Sequence, residues 1–384
     1  MKKVQVSLIE CREYEYETVK KSIQESFDNL GGIEKYIDKG DKVLLKINLL
    51  MKKKPEEAAT THPVFTKALA QVLIDYGATV VIGDSPGGPF NEHLLKGIYK
   101  GCGIDQIAEE TEATLNYNTN SVVVPNPKGK YLKELTIAEM VQEADKVISV
   151  SKLKTHGLTV FTGAVKNMFG IIPGLKKPEY HLTMPEVKEF SDALLDICLC
   201  GNPVLSFMDG IVGMEGAGPS AGEPREIGAV IASSSPYHLD VVASSIINLK
   251  PSEVPIIQRC IERNICTENL EDIEILGESL SKFFIEDFII PDTRTKKLVA
   301  DWMPDFLKTF IDMSTRPRPI FHHELCIGCG NCTEACPPKV ITMENKRPEV
   351  ALENCIRCYC CQELCPERAV TIHRPWLLRT MSKF

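Results

Sequence analysis

The sequence predicts an α/β fold over residues 1–290, a mostly parallel sheet with helices on both faces. A helical linker over 291–318 and a small α+β domain over 319–384 are expected to follow. Two observations predict this. Up to about residue 290, short β-rich apolar runs alternate with amphipathic stretches, and strands alternating with helices make parallel sheets covered on both sides. Beyond that point one cysteine spacing occurs twice, repeating after 29 residues from Cys326 to Cys355. A domain so small buries little apolar surface and needs other support.

The elements follow in order. Val4–Ser7, Val43–Ile47, Thr79–Ile82, Val147–Val150, Val204–Met208 and Ala229–Ala232 are apolar runs bounded by turn residues, and read as buried strands. Tyr14–Leu30 is amphipathic and ends at Gly31 and Gly32. His62–Tyr76 begins with Thr61 as its cap and Pro63 early in the helix, and stops at Gly77. Pro185–Cys200 stops at Gly201. Lys296–Met313 reads as helix, and Arg316–Pro319 as an extended linker.

The last domain is read from its cysteines. Cys326, Cys329, Cys332 and Cys336 precede Pro337; Cys355, Cys358, Cys361 and Cys365 precede Pro366. Each run reads C-x2-C-x2-C-x3-C-P, the spacing that bacterial two-cluster ferredoxins use for 4Fe-4S cubanes. Three cysteines in a tight loop wrap three iron corners, and the fourth ligates the other cube. Cys326, Cys329, Cys332 and Cys365 are therefore expected on one cluster, and Cys355, Cys358, Cys361 and Cys336 on the other. Pro337 and Pro366 end the short helix after each fourth ligand. Gly328 and Gly330 let the loop bring N–H groups close to sulfur. The domain is thus expected to be ferredoxin-like, with metal supplying much of its folding energy. Zinc also accepts thiolates, but its Cys-x-x-Cys pairs are usually separated by a longer loop. Disulfides suit neither the odd cysteine count nor a long chain without an export signal. Cys360 has no counterpart in the first run and is expected to be a spare buried thiol.

Composition narrows the function classes. A hydrophobic fraction of 43% is that of a globular protein, and a formal charge of -8 argues against nucleic acid as a partner. Nine of the 15 cysteines lie between Cys326 and Cys365; the other six are expected to be structural. Free thiols and cubanes point to a reducing cytoplasm. No export signal is expected, because charge returns at Glu10, Arg12 and Glu13, and no run approaches a membrane span. The basic and apolar stretch from Arg374 to Arg379 is expected to pack on its own domain.

In open parallel sheets ligands bind at the carboxyl ends of strands, and four polar groups sit at such ends. Lys46 and Asn48 close one strand. Asp84 and Ser85 follow the next, ahead of Gly87 and Gly88. Ser151–Gly157 brings Lys152, Lys154 and His156, and Asp209 leads to Glu215 among glycines. Gly163–Gly170 adds Lys166 and Asn167. Together they are expected to share one cleft. The lysines suit a phosphate or carboxylate; the acids suit a divalent metal or proton transfer. No nucleotide fingerprint and no nucleophile elbow is present.

Taken together, the segments Lys46–Asn48, Thr61–Pro63, Gly83–Gly88, Ser151–His156, Gly163–Gly170 and Met208–Pro219 resemble the family catalogued as domain of unknown function 362. The resemblance covers roughly residues 1–290 and is joined to a two-cluster ferredoxin-like domain, a fusion common in that family. It implies domain limits and a site, an anaerobic setting, and no substrate.

The expectation is an iron-sulfur protein that moves single electrons through two 4Fe-4S clusters, received from a redox partner protein. An oxidoreductase would act on a small anionic substrate in the strand-end cleft. His156, Lys166, Asp84 and Asp209 are then the catalytic candidates, His156 for proton transfer because its ordinary pKa lies near neutrality. Lys46, Asn48, Ser85, Lys152, Lys154, Asn167 and Glu215 would bind substrate. An additional divalent metal or organic cofactor stays open. The alternatives are a non-catalytic electron carrier or metallocentre assembly factor, and a ligand sensor.

Overall fold

A nine-stranded sheet organises the described residues, which are 3–291, 304 and 317–373 of the computed structural model. Its strands are β1 (Val4–Glu10), β2 (Lys42–Ile47), β3 (Thr79–Gly83), β4 (Thr114–Leu115), β7 (Lys146–His156), β8 (Val160–Thr162), β9 (Leu205–Glu215), β10 (Glu223–Ser233) and β11 (Ile273–Gly277). The order is β11-β1-β10-β9-β7-β2-β3-β4, with β8 paired to β7. The run β9-β7-β2-β3-β4 is parallel, as is β1-β11. β10 runs antiparallel to both of its neighbours. Two further strands, β5 (Ser121–Pro125) and β6 (Glu134–Ala138), form a separate antiparallel pair. The architecture is the expected mostly parallel α/β sheet.

Alternation along the strands buries both faces. Val43, Leu45 and Ile47 pack with Val80, Ile82, Val150 and Phe207 on one side, with the helices Tyr16–Asn29 and Pro63–Tyr76. Leu44 and Val147 point the other way, towards Met168, Phe190 and Leu194. This two-residue period is that of a sheet covered by helices on both sides.

Several boundaries differ from expectation. The strand predicted to stop at Val150 continues through Lys152 and Lys154 to His156, and the one predicted to stop at Met208 continues to Glu215. Residues expected just beyond the strand ends are therefore strand, and buried. Pairing explains it: Lys152 is in register with Asp209, and His156 with Val160 of β8. The helix after Thr61 is capped by His62, whose ring accepts from the Val64 N–H. Thr61 instead accepts from Asn48 N and donates to Val150 O. The first helix starts at Tyr16 rather than Tyr14, and the helix expected over Pro185–Cys200 spans Val187–Gly201, with left-handed Asn202 as its cap.

The C-terminal module has two small antiparallel pairs, β12 (Arg318–Phe321) with β15 (Val370–His373), and β13 (Ile341–Glu344) with β14 (Arg347–Val350). One-turn helices, Asn331–Glu334 and Cys360–Glu363, follow the first three cysteines of each run or overlap them. Apart from residue 304, the helix expected at Lys296–Met313 lies outside the described residues, as does the tail from Arg374. Among the described residues no helix is long and apolar enough to cross a membrane.

Candidate functional site

The cleft begins where β2 and β3 end. Lys46 is buried and lies 2.8 Å from Asp84 Oδ1. Its ammonium also donates to Ile47 O at 2.7 Å and Asn167 Oδ1 at 3.1 Å. Asp84 Oδ2 accepts from Leu49 N at 2.8 Å. Asn167 donates to Lys46 O and Ser149 Oγ, each at 3.0 Å. Gly170 seals this knot: a Cβ there would stand 2.0 Å from Asp84 Oδ1. Burial depresses the Lys46 pKa, while Asp84 opposes that effect.

The segment carrying Lys166 and Asn167 is held from behind. Asp240 accepts from Ala164 N at 2.6 Å and Val165 N at 3.1 Å. Burial raises this carboxyl to about 7 despite those two bonds. Across the cleft, Lys177 donates to Ser85 O at 2.6 Å, Ser85 Oγ at 3.2 Å and Pro86 O at 3.3 Å. Its acceptors are neutral oxygens, and burial lowers its pKa to about 7. The resulting cleft has a volume of about 90 Å³. Lys46, Lys166, Lys177, Asn48, Asn167, Asp84 and Ser85 supply its polar lining; Leu50, Pro86, Phe169, Pro178 and Leu364 supply apolar surface.

The remaining expected residues do not line this cleft. Lys152 lies 2.8 Å from Asp209 Oδ2 and donates to Tyr14 OH at 2.7 Å. Tyr14 donates to Asp209 Oδ1 at 2.8 Å, His62 N donates to Oδ2, and the Tyr14 and His62 rings stack 3.6 Å apart. This is a closed, buried network. Glu215 accepts from Ile289 N at 3.0 Å. Lys154 stands just behind the cleft, donating to Asn48 Oδ1 at 2.8 Å and Ala59 O at 2.5 Å. Burial first, and then Lys166, take it down to about 7.

The cysteines enclose two spaces. One cavity is lined by Cys326, Cys329, Cys332 and Cys365, the other by Cys336, Cys355, Cys358 and Cys361. Among the described residues no three His, Cys, Asp or Glu side chains are gathered closely enough to share one metal ion. Gly328 and Gly330 take left-handed φ of 70° and 82° in the first loop. Arg357 and Tyr359 take 57° and 64° at the matching positions of the second, at a cost of roughly 1–2 kcal/mol each. Gly328 N points at Cys326 Sγ (3.4 Å) and Ala369 N at Cys365 Sγ (3.2 Å). The donor set, its three-plus-one division and the amides aimed at sulfur fit 4Fe-4S cubanes.

The helix Cys360–Glu363 joins the two halves. Cys360, Glu363 and Leu364 form one wall of the cleft, while Cys361 lines the second cysteine cavity. Gln362 donates to Ala217 O at 3.1 Å, and Lys53 to Pro366 O at 3.3 Å. Gly87 leaves room for Leu364, which a Cβ would meet at 2.4 Å. His156 Nε2 lies 2.8 Å from Glu363 Oε1, close but not aligned as a hydrogen bond. Burial, aided by Lys166, lowers His156 to about 4, so it is neutral near pH 7. Burial would raise the Glu363 carboxyl, but His156 and Lys166 outweigh it and keep it ionised.

The residues expected in the cleft included neither Lys177, Glu363 nor His181. His181 lines the cleft, stacked 4.2 Å from Phe190. Lys177 sits in a helix of ordinary polar composition (Lys176–Thr183), and Glu363 lies among ligand cysteines; neither carries a local signal. Cys360 is buried as expected, but it faces the cleft.

Comparison with known proteins agrees with this division. The family described as "Domain of unknown function (DUF362)" matches residues 43–245, and a "4Fe-4S dicluster domain" matches residues 318–366. The thylakoid-associated protein sll1697 of Synechocystis sp. is 31% identical over 257 residues, 65% of this chain and 76% of that protein. Among solved structures, the lactate racemase apoprotein of Thermoanaerobacterium thermosaccharolyticum is 16% identical with a TM-score of 0.38, over 61% of this chain and 55% of that one. A protein of Thermotoga maritima is 15% identical with a TM-score of 0.32, over 54% of this chain and 52% of that one. The chain belongs to the DUF362 family and carries a 4Fe-4S dicluster domain at its C-terminal end.

Proposed function

We propose that this protein is an iron-sulfur oxidoreductase that exchanges single electrons with a small organic anion bound in the cleft. Two 4Fe-4S clusters, when bound, supply one-electron chemistry. Cys326, Cys329, Cys332 and Cys365 hold one, and Cys336, Cys355, Cys358 and Cys361 the other. The carrying observation is the shared wall: the helix that presents Cys360 and Glu363 to the cleft also presents Cys361 to the second cysteine cavity.

The residues divide the work. Lys166 and Lys177 face the cleft, form no ion pair with a carboxylate among the described residues, and attract the anionic end. Phe169 and Leu364 take the apolar part. Lys46 and Asp84 neutralise each other and keep the floor rigid. Glu363, backed by neutral His156, is placed to pass a proton. At the first cavity Cys329 is exposed, and Leu325 and Ile327 are 51% and 64% exposed. This surface suits docking of a redox protein that supplies electrons.

The test uses full-length protein purified without oxygen. Iron and acid-labile sulfide are assayed, and the reduced protein is mixed with matched anionic and neutral oxidants. Anionic oxidants are expected to reoxidise it faster, with the preference lost in Lys166→Met and Lys177→Met. Equal rates for both oxidant classes, unchanged in the variants, would defeat the reading.

A further inference from the structure

We propose that anion binding in the cleft makes the neighbouring cluster, held by Cys336, Cys355, Cys358 and Cys361, a stronger reductant, and that Lys166 carries this coupling. The proposal rests on the anion site of the preceding reading and adds its regulation.

The four lysines at or behind the cleft are not equivalent. Lys46 is paired with Asp84. Lys154 donates to Asn48 and Ala59 oxygens, and Lys177 to oxygens of Ser85 and Pro86. Lys166 differs: among the described residues no hydrogen bond or ion pair holds its ammonium, which lies 5.9 Å from the Phe169 ring. The charged or ionisable groups that act on it include Glu363 and Cys360, both on the helix that carries Cys361. Lys177 feels Asp84, Lys46 and Lys166 instead. Lys166 thus lines the cleft together with Cys360 and Glu363 of that helix and acts on both. Neither cysteine cavity shares a lining residue with the cleft, but Cys361 of the second follows Cys360 of the cleft wall directly on the same helix.

The sign follows from electrostatics. An electron added to the second cavity increases negative charge there. An ammonium nearby that no ion pair among the described residues neutralises favours that state and raises the potential, and its partly buried setting leaves the effect less screened than at the surface. An anion bound to Lys166 cancels the field and lowers the potential. By linkage, reduction weakens anion binding by the same factor. The step is one-electron uptake from an added chemical reductant; no bond forms or breaks. An empty cleft then leaves the protein a mild donor, and an occupied one a strong donor.

Propionate serves as the probe. Calorimetry measures its binding to oxidised protein, and potentiometric titration followed by electron paramagnetic resonance measures each cluster with and without it. The expected result is about tenfold weaker propionate binding after reduction, which corresponds to about 59 mV at one electron. The downward shift is expected for the second cluster, with a smaller one for the first. Lys166→Met without propionate should reproduce the shift, Lys166→Arg should not, and Lys177→Met should weaken binding while leaving the anion-free potential in place. Saturable binding with unmoved potentials, or equal shifts of both clusters, overturns the coupling but spares the anion site. Absence of saturable binding at millimolar propionate overturns the anion site itself and the coupling with it. The wild-type comparison decides this even where a variant fails to load iron.

Discussion

His156 of β7 and Glu363 of the cysteine module approach within 2.8 Å, which brings the end of β7 against the helix that walls the cleft. Both groups are largely buried, so neither finds a substitute partner in water. His156→Ala is expected to loosen the module's grip. Hydrogen exchange should show lower protection of the helix Cys360–Glu363, with β2 and β3 unchanged. Equal protection in both proteins would mean that Gln362 and Lys53 suffice for docking.

The crossed cysteine assignment makes a separate forecast. Cys365→Ser should empty the first cavity and Cys336→Ser the second, each taking iron from about eight to about four atoms per chain. Cys360→Ala should retain the full content. Iron analysis with electron paramagnetic resonance checks all three, and iron loss in Cys360→Ala would assign that thiol to a cluster.

Anion affinity should depend on pH through Lys177. Its pKa is lowered to about 7 by burial, and only the ammonium attracts the anion. Affinity is therefore greatest below pH 7 and falls as pH rises through that value, by up to about tenfold per unit while one proton is linked to binding. Lys177→Gln should bind more weakly and flatten the profile. A wild-type affinity that stays constant from about pH 6 to about pH 9, a span that brackets the lowered Lys177 value, would refute this.

The Lys152–Asp209 pair should matter for stability rather than for the cleft. Asp209→Asn leaves the buried Lys152 ammonium without its counter-charge and weakens the links to Tyr14 and His62. Breaking a buried pair in this way costs about 3–5 kcal/mol. Thermal or denaturant unfolding should show that loss, while propionate affinity in the folded variant stays at the wild-type value.

Much of the sheet was legible because apolar runs such as Val43–Ile47 report burial on both faces directly. Strand ends were less so. Lys152, Lys154 and His156 look like loop residues until Asp209, Asn48 and Glu363 are brought to meet them, and a buried lysine is tolerated only with such partners. For the same reason the polar groups expected in one cleft fall into two networks. Lys152 turns to Asp209 on β9, whereas Lys154 turns to Asn48 beyond β2.

Ligand spacing along a short segment is enough to specify the cysteine loops, and the alternation of apolar runs with amphipathic stretches is enough to call for the α/β sheet. Which polar side chains share the cleft, and that Cys360, Glu363 and Leu364 form its wall, emerges from long-range packing alone. Those relationships join segments far apart in the chain. They are set by how the cysteine module packs on the strand ends, and no local pattern of residues encodes that distance.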